Sequence, residues 1–528
     1  MHQIMKRINY LLGTILLPFL FSACESLDTE PTDRIIDSYF WKTETDAIMA
    51  VNGIYRTIPG TDYMYLDCAT DLAWNELSWG KAHLLGNGSQ DAELWTWTSD
   101  KWKTAYESIQ RVNYFMENID RIESISPELK NRLCAEARFI RAMTYSDIMF
   151  LWGDVPLVTT TLDLKTGEME RTPKDQVFNY VITELKDIIQ YLPEKYDAAN
   201  IGRVTKGAAR AMLMRAYLRE NKYAEVKAVA KEIMDMGLYS LYPSYEKLFK
   251  YAGENCSEII FDKQYIATTY SNDLSKMFSP RSCFGDGSVV PLKSLVDSYE
   301  MSNGKAITDP SSGYDPYNPY EGRDPRLKAT ILTPGAIMPN GSIFNPLPNQ
   351  EPIGTDAVDN GNTSTSRTGF NFLKYVNPED LAESNSNCHN NIILIRYAEV
   401  LLSYAEAKIE TNDIDQSVYD AINAIRKRAG MPEYTAGKSQ SELREIVRQE
   451  RKVEFPLEGI RYFDIRRWKI AEDVLPGQTY GITYVDDKGN LATIKTEVRK
   501  FNPDRDYLWP VPLRELNVNK KLTQNPLY

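Results

Sequence analysis

The stretch RQERKVEFPLEGIRYFDIRRWKIAEDVL, residues 448 to 475, carries the acids Glu450, Glu454, Glu458 and Asp464. A glycosidase needs two such carboxylates facing each other across a cleft, about 5 to 10 Å apart. Here, however, the acids alternate with arginines and are interleaved with Phe455, Tyr462, Phe463, Ile465 and Trp468. That pattern favours ion pairs tying two helices together over an acid-base pair. Other catalytic material is scarce. Only His83 and His389 follow the N-terminal leader, which leaves little for histidine triads or multi-histidine metal sites. After Cys24 the cysteines (Cys68, Cys134, Cys256, Cys283, Cys388) are sparse, irregular and without a C-x-x-C pair, and they read as buried thiols or one incidental bridge.

Aromatic residues offer a different chemistry. Five of the nine tryptophans fall between Trp74 and Trp102. Trp102 belongs to a helical core face, and Trp95 and Trp97 alternate with polar residues as in an extended segment with one buried face. Trp74 and Trp79 lie beside Asp71, Asn75 and Glu76. An indole next to amides and carboxylates suits a sugar, because the ring covers its C–H face while polar groups bond its hydroxyls. The second cluster is GYDPYNPYEGRDPRL, in which Tyr314, Tyr317 and Tyr320 recur at every third position near prolines. In an extended or polyproline-like chain these rings would splay around the backbone. Buried structural roles stand beside the binding role for both clusters. Asp309, Asp315 and Asp324 could bind calcium through oxygen, but their spacing matches no EF-hand loop; no other cofactor is indicated.

Helical blocks must position these groups. One runs from Trp102 through Tyr106, Ile109 and Met116. A second opens at Ser126-Pro127, a cap followed by proline at the first helical position, and ends near Trp152. Thr172-Pro173 starts a third, ending near Leu192. Residues 204 to 237 predict a helical hairpin of about tetratricopeptide length, broken between Glu220 and Lys222, with Ala208, Ala209 and Ala216 permitting close approach. A similar pair spans Ile395 to Glu410 and Val418 to Ala429. Ser439 and Glu442 then stand in capping-box spacing before another helix. The mainly α scaffold is therefore assembled from two distant parts of the sequence. Between them, residues 280 to 390 hold 12 of the 27 prolines and the turn signals Asn303-Gly304, Asn340-Gly341 and Asn360-Gly361, which predict an irregular subdomain packed on the helices.

The N-terminus predicts export. Lys6 and Arg7 precede an apolar run from Leu11 to Phe21, too short to span a bilayer, and Ser22-Ala23 supply a cleavage site. Cys24 directly afterwards marks a bacterial lipoprotein signal, the alternative being an ordinary secretory signal. The formal net charge of −12 becomes more negative once Lys6 and Arg7 are removed, and it disfavours nucleic acid and anionic membrane surfaces. Attachment to a membrane would then rest on the lipid.

Several segments taken in order resemble the SusD/RagB family of outer-membrane nutrient-binding lipoproteins from Bacteroidetes. They are CESLDTEP after the leader, AEARFIRAMTYSDIMFLWGDVPLV (135 to 158), RVTKGAARAMLMRAYL (203 to 218), EIIFDKQY (258 to 265), NGKAITD with GRDPRL (303 to 327), RYAEVLLSYAEAK (396 to 408), INAIRKRAGMP (422 to 432), ERKVEFPLEGIRYFDIRRW (450 to 468) and the C-terminal YLWPVPLRELNVNKKLTQNPLY. The resemblance implies tetratricopeptide-like hairpins in a right-handed helical scaffold, packed against a loop-rich subdomain with few short strands. It implies a signal peptide at 1–23, a tether at 24–36, an N-terminal helical part at 37–240, a ligand-facing subdomain at 241–390 and a C-terminal helical part at 391–528, with 24–528 as one unit. It further implies a lipid anchor on Cys24, an outer-membrane location facing the exterior, a SusC-like TonB-dependent transporter as partner, and capture of glycan without catalysis. Peptide capture, as in RagB-like members, and an exported helical glycoside hydrolase are the alternatives. In the family, ligand residues come from loops in the first hundred residues and the middle subdomain. This places the candidate site at Trp74, Asn75, Trp79, Tyr314, Tyr317 and Tyr320, with Asp71 and Phe284 behind them.

Overall fold

A computed structural model of the chain describes residues 40–75, 82–93, 97–163, 167–361, 365–381 and 387–528. Cys24 and Trp79 lie outside these residues. Among them, helices of eight or more residues are numbered α1 (Glu44–Tyr55), α2 (Trp97–Asn118), α3 (Pro127–Trp152), α4 (Lys174–Ile188), α5 (Lys206–Arg219), α6 (Tyr223–Asp235), α7 (Tyr397–Glu410), α8 (Gln416–Ala429), α9 (Gln440–Glu454) and α10 (Ile460–Arg467). Local chemistry explains several of their starts. The Ser126 hydroxyl accepts from Leu129 N at 3.3 Å and Pro127 opens α3, where the missing N–H costs nothing. At α9, Ser439 accepts from Glu442 N and the Glu442 carboxylate accepts from Ser439 N at 2.7 Å, a reciprocal box.

The helices stack in sequence from α2 to α6, and α6 then packs on α7, more than 150 positions later in the chain. Helices α8 and α9 continue the layer from α7. Ala208, Ala209 and Ala216 are fully buried, so α5 sits close to its neighbours. One hydrophobic core runs from Trp41 to Val511. The fold is thus mainly helical hairpins, as the periodicity predicts.

The first six strands are short and pair segments distant in sequence. Strand β1 (Ala73–Asn75) pairs antiparallel with β3 (Val289–Pro291), with Trp74 opposite Val290. Strand β2 (Ile259–Lys263) pairs antiparallel with β6 (Ile392–Arg396), so the two ends of the proline-rich insertion meet in one ladder. Strands β4 (Ile331–Leu332) and β5 (Asn371–Phe372) pair within the insertion. A hairpin of β7 (Gly477–Val485) and β8 (Leu491–Arg499) follows α10, its strands alternating in residue type and its turn placing Gly489 at φ +81°. The three Asn-Gly turns all place glycine at positive φ: +79° at Gly304, +86° at Gly341 and +74° at Gly361.

Three local expectations need correction. Trp97 is not in an extended segment but is the first residue of α2, because its indole packs inward against Trp509, with ring centroids 5.7 Å apart. Ile395 belongs to β6, and α7 begins only at Tyr397, since the β2 ladder holds the backbone extended through Arg396. The tyrosine triplet is not polyproline-like. Asp315 O accepts from Asn318 N, Asn318 O accepts from Glu321 N, and the Asp315 carboxylate accepts from Tyr317 N at 2.9 Å, which folds the segment into consecutive turns.

The charged stretch does form ion pairs. Glu454 is bound by Arg326, Arg396 and Arg428; Glu458 by Lys374 and Arg396; Asp464 by Arg451 and Arg467; and Glu450 by Arg326 and Arg426. All four acids are buried. Burial alone would push the Glu454 carboxyl up, but the charges of Arg428, Arg396 and Arg326 outweigh it and hold the group well below the usual carboxylate range. Cys68, Cys134, Cys256, Cys283 and Cys388 are all free thiols.

Candidate functional site

The short helix Lys293–Ser298, which follows directly on β3, links several of the sequence-predicted site residues. Ser294 Oγ donates to Asp71 O, tying this helix to the start of β1. The Asp71 carboxylate takes a two-pronged bond from Arg461 (2.8 and 3.0 Å) and lies 2.9 Å from Lys452 Nζ. Burial opposes its ionisation, but Arg461 and Lys452 hold the carboxyl far below its ordinary value. Asp71 therefore clamps β1 to α9 and α10. Trp74 is buried in a small cluster with Val290 and Leu292, and its Nε1 has no hydrogen-bond partner among the described residues. Asn75 is buried as well, and its carbonyl meets His83 Nδ1 at 3.0 Å.

The tyrosine loop reaches the same helix from the other side. Arg323 donates to Val296 O, Tyr299 O and Pro319 O, so its guanidinium anchors the loop end, and it sits 5.5 Å from the centroid of the Tyr314 ring. Burial raises the phenols of both Tyr314 and Tyr320, followed by the Asp297 charge at Tyr314 and by Tyr314 and then Asp297 at Tyr320. The same Asp297 is held by Lys293 at 2.7 Å and acts on Lys452, the partner of Asp71. Tyr320 is half-buried, edge-on to Phe370, whereas Tyr317 at the loop tip is 59% exposed. Phe284 lies on the turn leading into β3 with φ of +61° and is 49% exposed. That turn is fixed by Ser282, whose N and Oγ donate to Asp356.

The structure thus gathers Asp71, Trp74, Asn75, Tyr314 and Tyr320 around residues 289–298, with Tyr317 and Phe284 presenting rings outward. Trp74, Asn75 and Asp71 are buried and form a packed floor between β1, β3 and the C-terminal helices. An exposed ring on a pinned turn, such as Tyr317 or Phe284, can stack on an apolar face of a ligand. Asp297, Arg323 and Lys452 are missing from the sequence-predicted set. Arg323 stands in the quoted GRDPRL segment, but nothing local marks it as the loop's anchor. Asp309, Asp315 and Asp324 are engaged in turns and a helix cap, and among the described residues no group of three or more His, Cys, Asp or Glu side chains could hold a metal ion. No helix among the described residues is long and apolar enough to cross a membrane. A cavity of about 680 Å³ also opens between α1, α2 and α3, lined by Trp97, Tyr63 and several cations, and sequence reading missed it because its walls come from residues 53 to 509.

Helical hairpins carrying a loop-built aromatic face, with the conspicuous acids locked in ion pairs, define a scaffold of the ligand-capturing kind. The chain belongs to the SusD family, whose model matches residues 257–528, and a family described as starch-binding associating with outer membrane matches residues 44–218. It is 27% identical to SusD-like protein P25 of Formosa agariphila over 555 positions, covering 99% of this chain and 98% of that one. Among solved structures it is similar to a SusD-like carbohydrate binding protein from Bacteroides fragilis, with 30% identity, a TM-score of 0.84, and coverage of 92% of this chain and 100% of that chain. A laminarin binding SusD-like protein shares the fold at 20% identity and a TM-score of 0.69, covering 92% of this chain and 100% of that chain.

Proposed function

We propose that the chain is a cell-surface lipoprotein, anchored through Cys24 at the outer membrane and facing outward, that binds glycan and delivers it to a SusC-like TonB-dependent transporter. It performs no chemistry on the ligand. The observation carrying this reading is the convergence of β1, β3 and the tyrosine loop on the helix Lys293–Ser298, which holds the exposed Tyr317 ring on a fixed base, with Phe284 exposed on the turn before β3. Ring stacking with a few hydrogen bonds gives modest affinity, suited to capture and release. The similarity to the carbohydrate binding protein from Bacteroides fragilis supports glycan as the ligand class. The pairing of Glu450, Glu454, Glu458 and Asp464 with buried cations argues against hydrolysis by those acids.

The test is a glycan panel run beside a peptide library on the purified chain, with product analysis. Binding of at least one glycan class without products, reduced about tenfold by Tyr317→Ala with Phe284→Ala, supports the reading. Preferential binding of peptides, release of reducing sugar, or glycan binding untouched by both substitutions overturns it. Co-purification of the lipidated chain with an outer-membrane transporter from the native host tests the partner.

A further inference from the structure

The cavity between α1, α2 and α3 is separate from the aromatic face: none of its lining residues comes from positions 266 to 462. Its volume of about 680 Å³ lies within the range of about 300 to 1,000 Å³ common to small-ligand sites. Trp97 forms one wall. Its orientation is fixed by a 3.2 Å bond from Nε1 to Asp62 and by Trp509 behind it, while the ring itself is only half-buried. At the inner end, Thr57 and Ser108 share a 2.7 Å hydrogen bond.

Charge gives the cavity its character. Its acids are mostly answered: Asp62 by Lys101, and Asp147 by the Tyr63 hydroxyl and by Arg219 from outside the cavity. Of its cations, Lys263 donates to Ile58 O at 2.5 Å, a neutral acceptor that leaves its charge uncancelled. Arg56 and Arg111 are exposed at the rim, and among the described residues neither enters an ion pair. Only Glu107, itself exposed, opposes these three. In a chain of formal net charge −12, such a local excess of cations singles out an anionic ligand. Guanidinium forks match carboxylate and sulfate oxygens, and the part of Trp97 left uncovered by Lys101 and Trp509 offers an apolar contact to a sugar ring.

We propose that this cavity is a second binding pocket, for a saccharide unit bearing a carboxylate or sulfate group. The inference stands on the lining alone and does not depend on ligand binding at the tyrosine loop.

Calorimetric titration of the purified full chain with a glucuronate-containing disaccharide, its methyl ester, a 6-O-sulfated disaccharide and the neutral parent tests it. The carboxylated or the sulfated probe is expected to bind at least about tenfold more tightly than the ester and the parent at low ionic strength, with the margin shrinking as salt rises. Which charged probe wins tells a uronate pocket from a sulfate pocket. The double substitution Arg56→Gln/Arg111→Gln should erase the margin without lowering the melting temperature, because both side chains are exposed, and Tyr317→Ala should leave the margin intact. Equal affinity for charged and neutral probes, no binding of either charged probe, or a margin that survives the double substitution overturns the proposal. Loss of binding across the glycan panel leaves this test standing.

Discussion

Arg396 Nη1 donates to Glu454 Oε1 at 2.7 Å, with both side chains wholly excluded from solvent. The arginine is the residue at which β6 becomes α7, and the acid ends α9. The same guanidinium reaches Glu258, one residue before β2, and Glu458, so one side chain fastens both ends of the insertion to the C-terminal helices. A buried charge cluster of this kind contributes little net stability over an apolar core, but breaking it leaves charges unanswered.

Arg396→Ala should therefore destabilise the fold by about 3 to 5 kcal/mol, because Glu258, Glu454 and Glu458 each lose a buried partner. Urea unfolding measures this. A loss under about 1 kcal/mol would show that water or neighbouring cations take over the guanidinium's role.

Asp67 gives the fold a pH dependence of definite sign. Its carboxylate accepts from Leu457 N at 2.6 Å, while its other oxygen is buried without a partner among the described residues, and burial pushes the group up to about 8 from a usual 3.8. The folded chain thus keeps a proton that the unfolded chain releases near its ordinary value, so stability falls as pH rises between those two limits. Asp67→Asn keeps an acceptor for Leu457 N–H and removes the titration. Between pH 5 and 8 the parent chain should lose at least about 1 kcal/mol more than this variant, by urea midpoints at each pH. Parallel curves would contradict the assignment.

The capping box at α9 is a local device with a local cost. Ser439→Ala removes the acceptor for Glu442 N and should cost about 1 kcal/mol, well below the Arg396 effect. Thermal or urea unfolding resolves the two, and equal losses would mean that the cap is coupled to the buried charge cluster.

Tyr317 and Trp74 should respond oppositely. Tyr317 is exposed, so Tyr317→Ala should change stability by no more than about 0.5 kcal/mol while weakening glycan retention in affinity electrophoresis. Trp74 is buried against Val290 and Leu292, and Trp74→Ala should cost about 3 to 5 kcal/mol. Should Trp74→Ala leave stability intact and abolish retention, the tryptophan would be a ligand contact and not part of the floor.

Helices α3, α5, α6, α8 and α9 were legible because caps, prolines and apolar periods act over four or five residues. The starts at Ser126 and Ser439 are readable from a few letters, as are the three Asn-Gly turns and the alternation of acids with arginines from 448 to 475. Family membership was legible too, through the order of segments along the whole chain. Tertiary structure alone decided the rest. That Trp74 lies opposite Val290, that α6 packs on α7, that Asp71 is bound by Arg461, and that Trp97 opens a helix beside a cavity all depend on partners tens to hundreds of positions away. Side-chain type and near spacing specify what a residue can do with its neighbours in sequence. Which acid meets which arginine, and which ring is left facing water, is set by the packing of distant segments around one shared core.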